Sequence, residues 1–438
     1  MSSIPPEKSG TWHYLGYMRR EQAGTNINDV CECSPGPRQR FRAQLGLSRK
    51  PGRKYFQSIF LPPASQPVPR MNEAVVIEQA AALTSLGDIA HSVEALLGGK
   101  SALRPGPCFD VPTAYAPFAN CKDRDLRTCA RLLGSNIDLD GLPAGRMIFI
   151  YCSAKGDIHS LEDVVSERTS RVDVSPLLDA QAQQACRLLG LQPDRIVSIS
   201  NACASGAIAV ELAKELLEDR RFSHAVLFGL ESLCRFVATG FHALSALSPT
   251  GARPFDAARD GLSLGEAAGV AVLSFREPRP GDMVVAGAGS SNDANHRTGP
   301  SRTGEGLHSA ACAALADAGI DPRSIGAVKC HGTATPYNDA MEAKAIYRLF
   351  GDTCPPCASL KGAIGHTSGA GSLVEMLLAA EFLKQRGLPP TSGYERHGVD
   401  EPIPVSNRPQ PISGTSILCL SAGFGGVNAG IVVQEAGA

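Results

Sequence analysis

Net charge is almost missing from this chain: 42 Lys/Arg against 43 Asp/Glu leave −1 at neutral pH. A protein built to hold nucleic acid or an anionic membrane carries a basic surplus, so neither is expected as its main partner. No apolar run is long enough to cross a bilayer, and no charged-then-apolar leader resembles a signal peptide, so the expected location is the cytoplasm. The GxxxxGK[ST] spacing of a phosphate-binding P-loop is absent, which argues against nucleotide chemistry. A second Cys/His pair at zinc-ligand spacing is missing too. Cys31-Glu-Cys33 and Cys354-Pro-Pro-Cys357 each stand without one, so no metal is expected. The fourteen cysteines are scattered along a long chain and read as reduced thiols rather than a disulfide framework.

What is present is a 438-residue chain, 43% hydrophobic, with 45 glycines and 31 prolines. That is the composition of a loop-rich globular protein with one large core or two joined ones. Residues 1–70 stand apart. They carry eleven Lys/Arg against four Asp/Glu, the single tryptophan Trp12 and proline clusters, without a period of 2 or 3.6. They read as a poorly ordered basic extension, with Met71 as an alternative start of translation.

Beyond Met71, strand-like and helix-like stretches alternate. Strands are expected at 74–78, 146–152, 195–200, 225–230, 269–275, 283–289, 325–330, 415–421 and 429–434. Helices are expected at 79–97, 176–190, 204–218, 306–318, 339–350 and 370–386. The alternation predicts α/β layering around largely buried sheets. The series divides at the connector 276–282, giving halves 71–280 and 281–438 that suggest an internal duplication.

Four stretches carry chemistry. In Val197-Ser-Ile-Ser-Asn-Ala-Cys-Ala-Ser-Gly206 a β-branched run turns into a helix, and Cys203 sits among small residues at the junction. Amide N–H groups and the positive helix end there are expected to lower its pKa toward a usable thiolate. Glu211, Lys214, Glu215 and Glu218 then form one polar stripe on that helix. Val328-Lys-Cys-His-Gly-Thr-Ala-Thr-Pro-Tyr-Asn-Asp339 delivers His331 into a loop of small and hydroxylated residues that ends on an acid. Ser359-Leu-Lys-Gly-Ala-Ile-Gly-His366 offers Lys361 and His366 in a glycine-rich turn before a helix. In that helix Glu375 is the only charge within an apolar run. A buried carboxylate needs a cation, and Lys361 is the nearest in sequence, so a Lys361–Glu375 pair is expected, with either a structural or a catalytic part to play. Finally Ser421-Ala-Gly-Phe-Gly-Gly-Val-Asn428 is a tight turn that could aim an amide at an oxyanion or be a plain hairpin.

In this order the stretches resemble the elongating β-ketoacyl-acyl carrier protein synthases and related polyketide ketosynthases. The resemblance rests on Asn201-Ala-Cys-Ala-Ser-Gly206, Pro254-Phe-Asp-Ala-Ala-Arg-Asp-Gly-Leu-Ser-Leu-Gly-Glu-Ala-Ala-Gly269, His331-Gly-Thr-Ala-Thr335, Lys361 with Gly365-His366, and Gly423-Phe-Gly-Gly426. It implies a thiolase-like fold, two similar halves stacked as a five-layered α-β-α-β-α sandwich, in a homodimer. It also implies roles. Cys203 would take an acyl chain from acyl carrier protein as a thioester. His331 and His366 would assist decarboxylation of a malonyl thioester, whose carbanion attacks Cys203. Backbone amides of Cys203 and Phe424 would form the oxyanion hole, Thr333 and Thr335 would contact the pantetheine arm with Phe424, and Lys361, Glu375 and Asp339 would order the site. No cofactor of the protein's own is implied, since the substrates ride on phosphopantetheine. Ala334 and Ala422 depart from the usual pattern, and the segment from Met71 to Cys203 is short.

The alternatives are a ketosynthase subunit that needs a chain-length-factor-like partner, a non-catalytic chain-length partner, a Cys-His hydrolase or non-elongating acyltransferase, and a thiolase relative acting on coenzyme A esters. Non-catalytic partners characteristically lose the cysteine, and Cys203 is present.

Overall fold

Ten strands of the large sheet fall into two sets of five with one shared order. In the computed structural model, residues 72–437 are described apart from 120–124, 143–145 and 167–176. The basic extension, Met71, Cys31 and Cys33 therefore lie outside the described residues. The first set is β1 (Ala74–Thr84), β2 (Met147–Cys152), β3 (Arg195–Ile199), β4 (His224–Glu231) and β5 (Ala267–Arg276). It lines up as β3-β2-β4-β5-β1, with β2 parallel to β3 and β4, and with β5 antiparallel to β4 and β1. The second set is β6 (Met283–Asn292), β7 (Ala327–Lys329), β8 (Cys357–Ala358), β9 (Ser416–Gly423) and β10 (Val427–Glu435). It lines up as β8-β7-β9-β10-β6 with the same directions. Position for position the two orders are identical, the topology of a duplicated unit. The sets meet where β1 and β6 pair antiparallel, Val75 opposite Val285 and Val76 opposite Val284.

Helices supply the other layers: α1 (Ile89–Leu97), α2 (Leu126–Gly134), α3 (Leu178–Leu188), α4 (Ser205–Glu218), α5 (Arg235–Ala243), α6 (Glu305–Ala318), α7 (Pro336–Phe350) and α8 (Ser368–Lys384). α4 and α8 pack on each other and touch strands of both sets, so they form the middle layer. α2 and α3 cover the outer face of the first set, and α6 and α7 that of the second. The thiolase-like five-layer architecture expected from the resemblance is the one observed.

The sequence explains this arrangement. α8 is buried on every side over Ser368–Ala380, as a helix between two sheets must be. Small residues let it lie close. A Cβ on Gly206 would stand 2.5 Å from the Leu373 nitrogen, and one on Gly269 2.8 Å from a Val374 methyl. The Ser372 hydroxyl accepts the Ala207 N–H at 2.9 Å, tying α4 to α8 at the level of the site. β2 and most of β5 are fully buried, which suits central strands covered on both faces.

One expectation fails here. Residues 79–84, expected to begin a helix, continue β1, and the helix starts only at Ile89. Their Gln-Ala-Ala-Ala-Leu run favours helix, but pairing with β5 through a bulge between Ile77 and Gln79 overrides it. The polar stripe on α4 is partly enclosed by the second half. Lys214 is buried, with Glu218 at 2.6 Å and Asp317 of α6 at 2.8 Å. Burial pushes the Glu211 carboxyl up to about 7.

Candidate active site

The three residues singled out for chemistry come together at the N-terminal ends of the two central helices. Cys203 lies just before Ala204, the N-cap of α4, and His366 lies two residues before the start of α8. The Cys203 Sγ is 2.9 Å from His366 Nε2. The His331 ring, carried at the end of β7, stands edge-on to that of His366 with centroids 5.5 Å apart. Exposure is 9% for Cys203, 4% for His331 and 2% for His366, so the pocket is closed to bulk water.

Backbone strain frames these groups. Ala202, Ala334 and Ser368 adopt left-handed φ values of +48°, +67° and +43°. Non-glycine residues in that region cost roughly 1–2 kcal/mol and gather at functional turns. Ala334 thus occupies a conformation that suits the glycine it replaces. Gly423 works differently. Its φ is not positive, and a Cβ there would stand 3.1 Å from the Asn201 carbonyl and 3.2 Å from the Cys203 nitrogen, so it lets the β9–β10 turn close over the nucleophile loop. Only Gly425 (φ +87°) and Gly426 (φ +80°) supply left-handed backbone in that turn. The result is that the Phe424 N–H is directed at the Cys203 sulfur. The Phe424 ring caps the pocket against Phe241 of α5, centroids 5.4 Å apart, and Phe241 in turn lies 6.5 Å from the His366 ring.

The expected helix-end thiolate is not what the pocket holds. Burial pushes the Cys203 thiol up to about 12, and although Lys361 and the Phe424 amide pull the other way, Glu231 and Glu375 add to the rise. Burial outweighs the helix end because the sulfur has almost no water to stabilise its charge. Both histidines are neutral for the same reason. Burial first and the Lys361 charge second hold His366 at about 3 and His331 well below the usual imidazole value.

Behind them lies a buried ion cluster. Lys361 Nζ reaches Glu375 Oε1 at 2.7 Å, the expected pair. Lys329, which sequence reasoning passed over, reaches Glu375 Oε2 at 2.8 Å and the Leu420 carbonyl at 2.9 Å. Burial would raise the Glu375 carboxyl, but the two ammoniums overcome it and hold it at about 2.

Asp339 and Glu342, one turn apart on α7, fix the histidine loop. Asp339 accepts the N–H groups of Phe255, Thr333 and Ala334 at 2.7, 3.0 and 3.1 Å. Glu342 accepts those of His331 and Gly332, both at 2.6 Å. Burial still pushes Asp339 up to about 6 and Glu342 to about 7. Glu231, at the end of β4, accepts from the Ser153 hydroxyl at 3.0 Å, from the Gly369 N–H at 3.3 Å and from the Ala154 N–H, and pairs with Lys155 at 3.2 Å. Glu231 and Lys329 were each legible as single charges within apolar stretches, the signal that marked Glu375, whereas Glu342 sits between Asp339 and Lys344 and carries no such signal. The Thr333 and Thr335 hydroxyls lie 2.9 Å apart, Thr333 buried and Thr335 half-buried beside the exposed Tyr337. Cys354 and Cys357 place their sulfurs 3.8 Å apart on the outer side of β8.

A buried thiol beside two neutral imidazoles, under an aimed amide and sealed from water, suits acyl transfer and the stabilisation of enolate-like anions. Comparison with known proteins agrees. Residues 177–278 match the model of the beta-ketoacyl synthase N-terminal domain, and residues 283–395 that of its C-terminal domain. The chain is 36% identical over 256 residues to 3-oxoacyl-[acyl-carrier-protein] synthase 2 of Rhizobium meliloti, covering 54% of this chain and 60% of that protein. It is 32% identical over 271 residues to Nodulation protein E of the same species, covering 60% and 67%. The matched segments thus span 60% of the length of the synthase. Among solved structures, a ketosynthase in complex with its chain length factor from Xenorhabdus doucetiae is similar with a TM-score of 0.74 at 25% identity, over 85% of this chain and 100% of that one. A beta-ketoacyl synthase from Burkholderia phymatum gives 0.72 at 25% identity, over 83% and 99%. With the duplicated topology and both domain models matched in sequence order, this chain belongs to the β-ketoacyl synthase family.

Proposed function

We propose that the chain is a β-ketoacyl-[acyl-carrier-protein] synthase, an acyltransferase that lengthens a carrier-bound acyl chain by decarboxylative condensation. The observation that carries this reading is the Cys203–His366 contact of 2.9 Å with the His331 ring beside it in one closed pocket. Cys203 attacks the acyl thioester on the carrier protein's phosphopantetheine. The N–H groups of Cys203 and Phe424 stabilise the oxyanion, and such a donor is worth about a hundredfold in rate. The thiol proton passes by way of His366 Nε2 to the departing pantetheine sulfur. Malonyl-carrier protein then enters, its thioester oxygen held by N–H groups of the neutral His331 and His366. Loss of CO2 leaves an enolate there without a strong base. The enolate carbon attacks the Cys203 thioester, the new C–C bond forms, and the C–S bond breaks to release the β-ketoacyl product and the Cys203 thiolate, which takes up one proton from solvent by way of His366 Nε2. Thr333 and Thr335 contact the pantetheine arm beside Phe424. No cofactor of the enzyme's own enters this scheme.

The same reading implies the partners: acyl carrier protein, and a second copy in a cytoplasmic homodimer. Among the described residues no helix is long and apolar enough to cross a membrane. A second reading, heterodimerisation with a chain-length-factor-like chain, is favoured by the similarity to a ketosynthase in complex with such a factor. The exposed apolar side chains Leu161, Val165, Leu177 and Phe236 offer a surface for either partner.

The test is reconstitution with acyl- and malonyl-carrier protein, read by intact mass. The expected result is an acyl adduct on Cys203 and a product two carbons longer, both lost in Cys203→Ala. His331→Ala and His366→Ala should acylate without condensing efficiently, and full condensation by either would remove the assigned roles. Native mass of the protein with and without a co-expressed partner separates the two assemblies.

A further inference from the structure

Glu375 is held by two ammoniums where one would satisfy it. Lys361 takes Oε1 and Lys329 takes Oε2, and Lys329 also spends a proton on the Leu420 carbonyl of β9. All three charged side chains are no more than 2% exposed, so no solvent screens them. Strand alternation fixes this: Val328 and Cys330 join the outer core beneath α6 and α7, and Lys329 between them points the other way, into the middle layer. With its three members ionised the cluster carries one positive charge in excess. A buried, unbalanced charge is expensive to keep, and a net-neutral pair needs one lysine only.

We propose that Lys329 is a positioning residue of the active site: by sharing Glu375 with Lys361 it makes the cluster net positive, and that surplus favours the anions that arise at Cys203. Of the proposed function, this requires only that Cys203 is the nucleophile. The short-lived species that form at or beside this sulfur, thiolate, tetrahedral oxyanion and enolate, are anionic, and the pocket gives them little water. The Lys361 charge already acts on Cys203 and on both histidines. Lys329 lets that charge persist, because Glu375 alone would cancel it. The charged or titratable groups around the cluster are Glu342 of α7, Cys419 of β9, Cys330 beside β7, and His331 and His366. Those acting on Cys203 are Lys361, Glu375 and Glu231 of β4, with His366 in contact. Among them Lys361 is the one cation, and Lys329 stands behind it.

The test reads the sulfur directly. Full-length protein is treated with iodoacetamide from about pH 6 to 10, and alkylation of Cys203 is followed by peptide mass. Lys329→Gln keeps a hydrogen-bond donor to Glu375 and removes the charge. The expected result is a rate at least tenfold lower at a given pH, which corresponds to a thiol about one pH unit harder to ionise, and near-wild-type behaviour in Lys329→Arg. Wild-type alkylation in Lys329→Gln would overturn the inference. Equal slowing in Lys329→Gln and Lys329→Arg with a matching loss of thermal stability would also overturn it, since that is the mark of packing alone. A charge-dependent shift in a protein that forms no carbon–carbon bond would uphold this inference and remove the condensing function instead.

Discussion

His331 and His366 stand beside a surplus of buried positive charge, which opposes their protonation. A histidine whose pKa is lowered stays neutral at every pH above the lowered value. Burial and Lys361 hold His366 at about 3 and His331 well below the ordinary value, so neither gains a proton in the working range. The expected outcome is that malonyl decarboxylation by pre-acylated protein changes less than about twofold between roughly pH 5.5 and 7.5, where ordinary imidazoles would titrate. Single-turnover CO2 release measures this, and a rate falling steeply below about pH 6.5 would contradict it. Which residues meet at the site was readable because each sits in a distinctive local frame: a cysteine at a strand–helix junction, a histidine in a Gly-Thr loop, a lone glutamate in an apolar helix. Their protonation was not readable. The Cys203 thiol at about 12 reflects how much protein surrounds it, which depends on segments far away in sequence.

At the scale of elements, the site depends on how near α4 approaches α8. A Cβ at Gly206 would meet the Leu373 nitrogen at 2.5 Å and both the Leu373 Cβ and the Ser372 Oγ at 2.8 Å. Gly206→Val must therefore drive the helices apart at the level of Cys203 and His366. The expected cost is about 3 kcal/mol or more by urea unfolding, with loss of Cys203 acylation, and Gly206→Ala should move in the same direction by less. An unchanged unfolding midpoint in the valine variant would contradict the packing described. Element types were legible where the pattern was long: the polar stripe along α4 and the extended run of small and apolar residues in α8. They were not where neighbours decide: residues 79–84 have helix-favouring composition and became strand because β5 offers them a ladder. The two-residue strand β8 carries too short a pattern to be seen, although it closes the second sheet.

For the whole molecule, stability against pH is set by buried carboxylates of opposite sign. Glu375 has a folded pKa lowered to about 2, so its contribution is complete above its unfolded value near 4.5 and is lost as pH falls through 2. Asp339 and Glu342 are raised to about 6 and about 7, so theirs is complete at low pH and is lost as pH rises through those values. Melting temperature is therefore expected to peak near about pH 5. In Glu375→Gln the acid limb should flatten and stability at neutral pH should drop by about 3–5 kcal/mol, because two ammoniums lose their counter-ion. A wild-type acid limb in that variant would contradict the assignment. The pairing was half legible: Lys361 is fourteen residues from Glu375, whereas Lys329 is brought there only by the sheet.

The short seam between β1 and β6 has one more consequence. Two copies of a single ancestral polypeptide, pairing like edge with like edge about a twofold axis, would make this antiparallel join. The two halves are thus related as the subunits of a twofold dimer would be, although one chain links them. The sulfur lies in one half and the two rings in the other, so neither half holds the site alone.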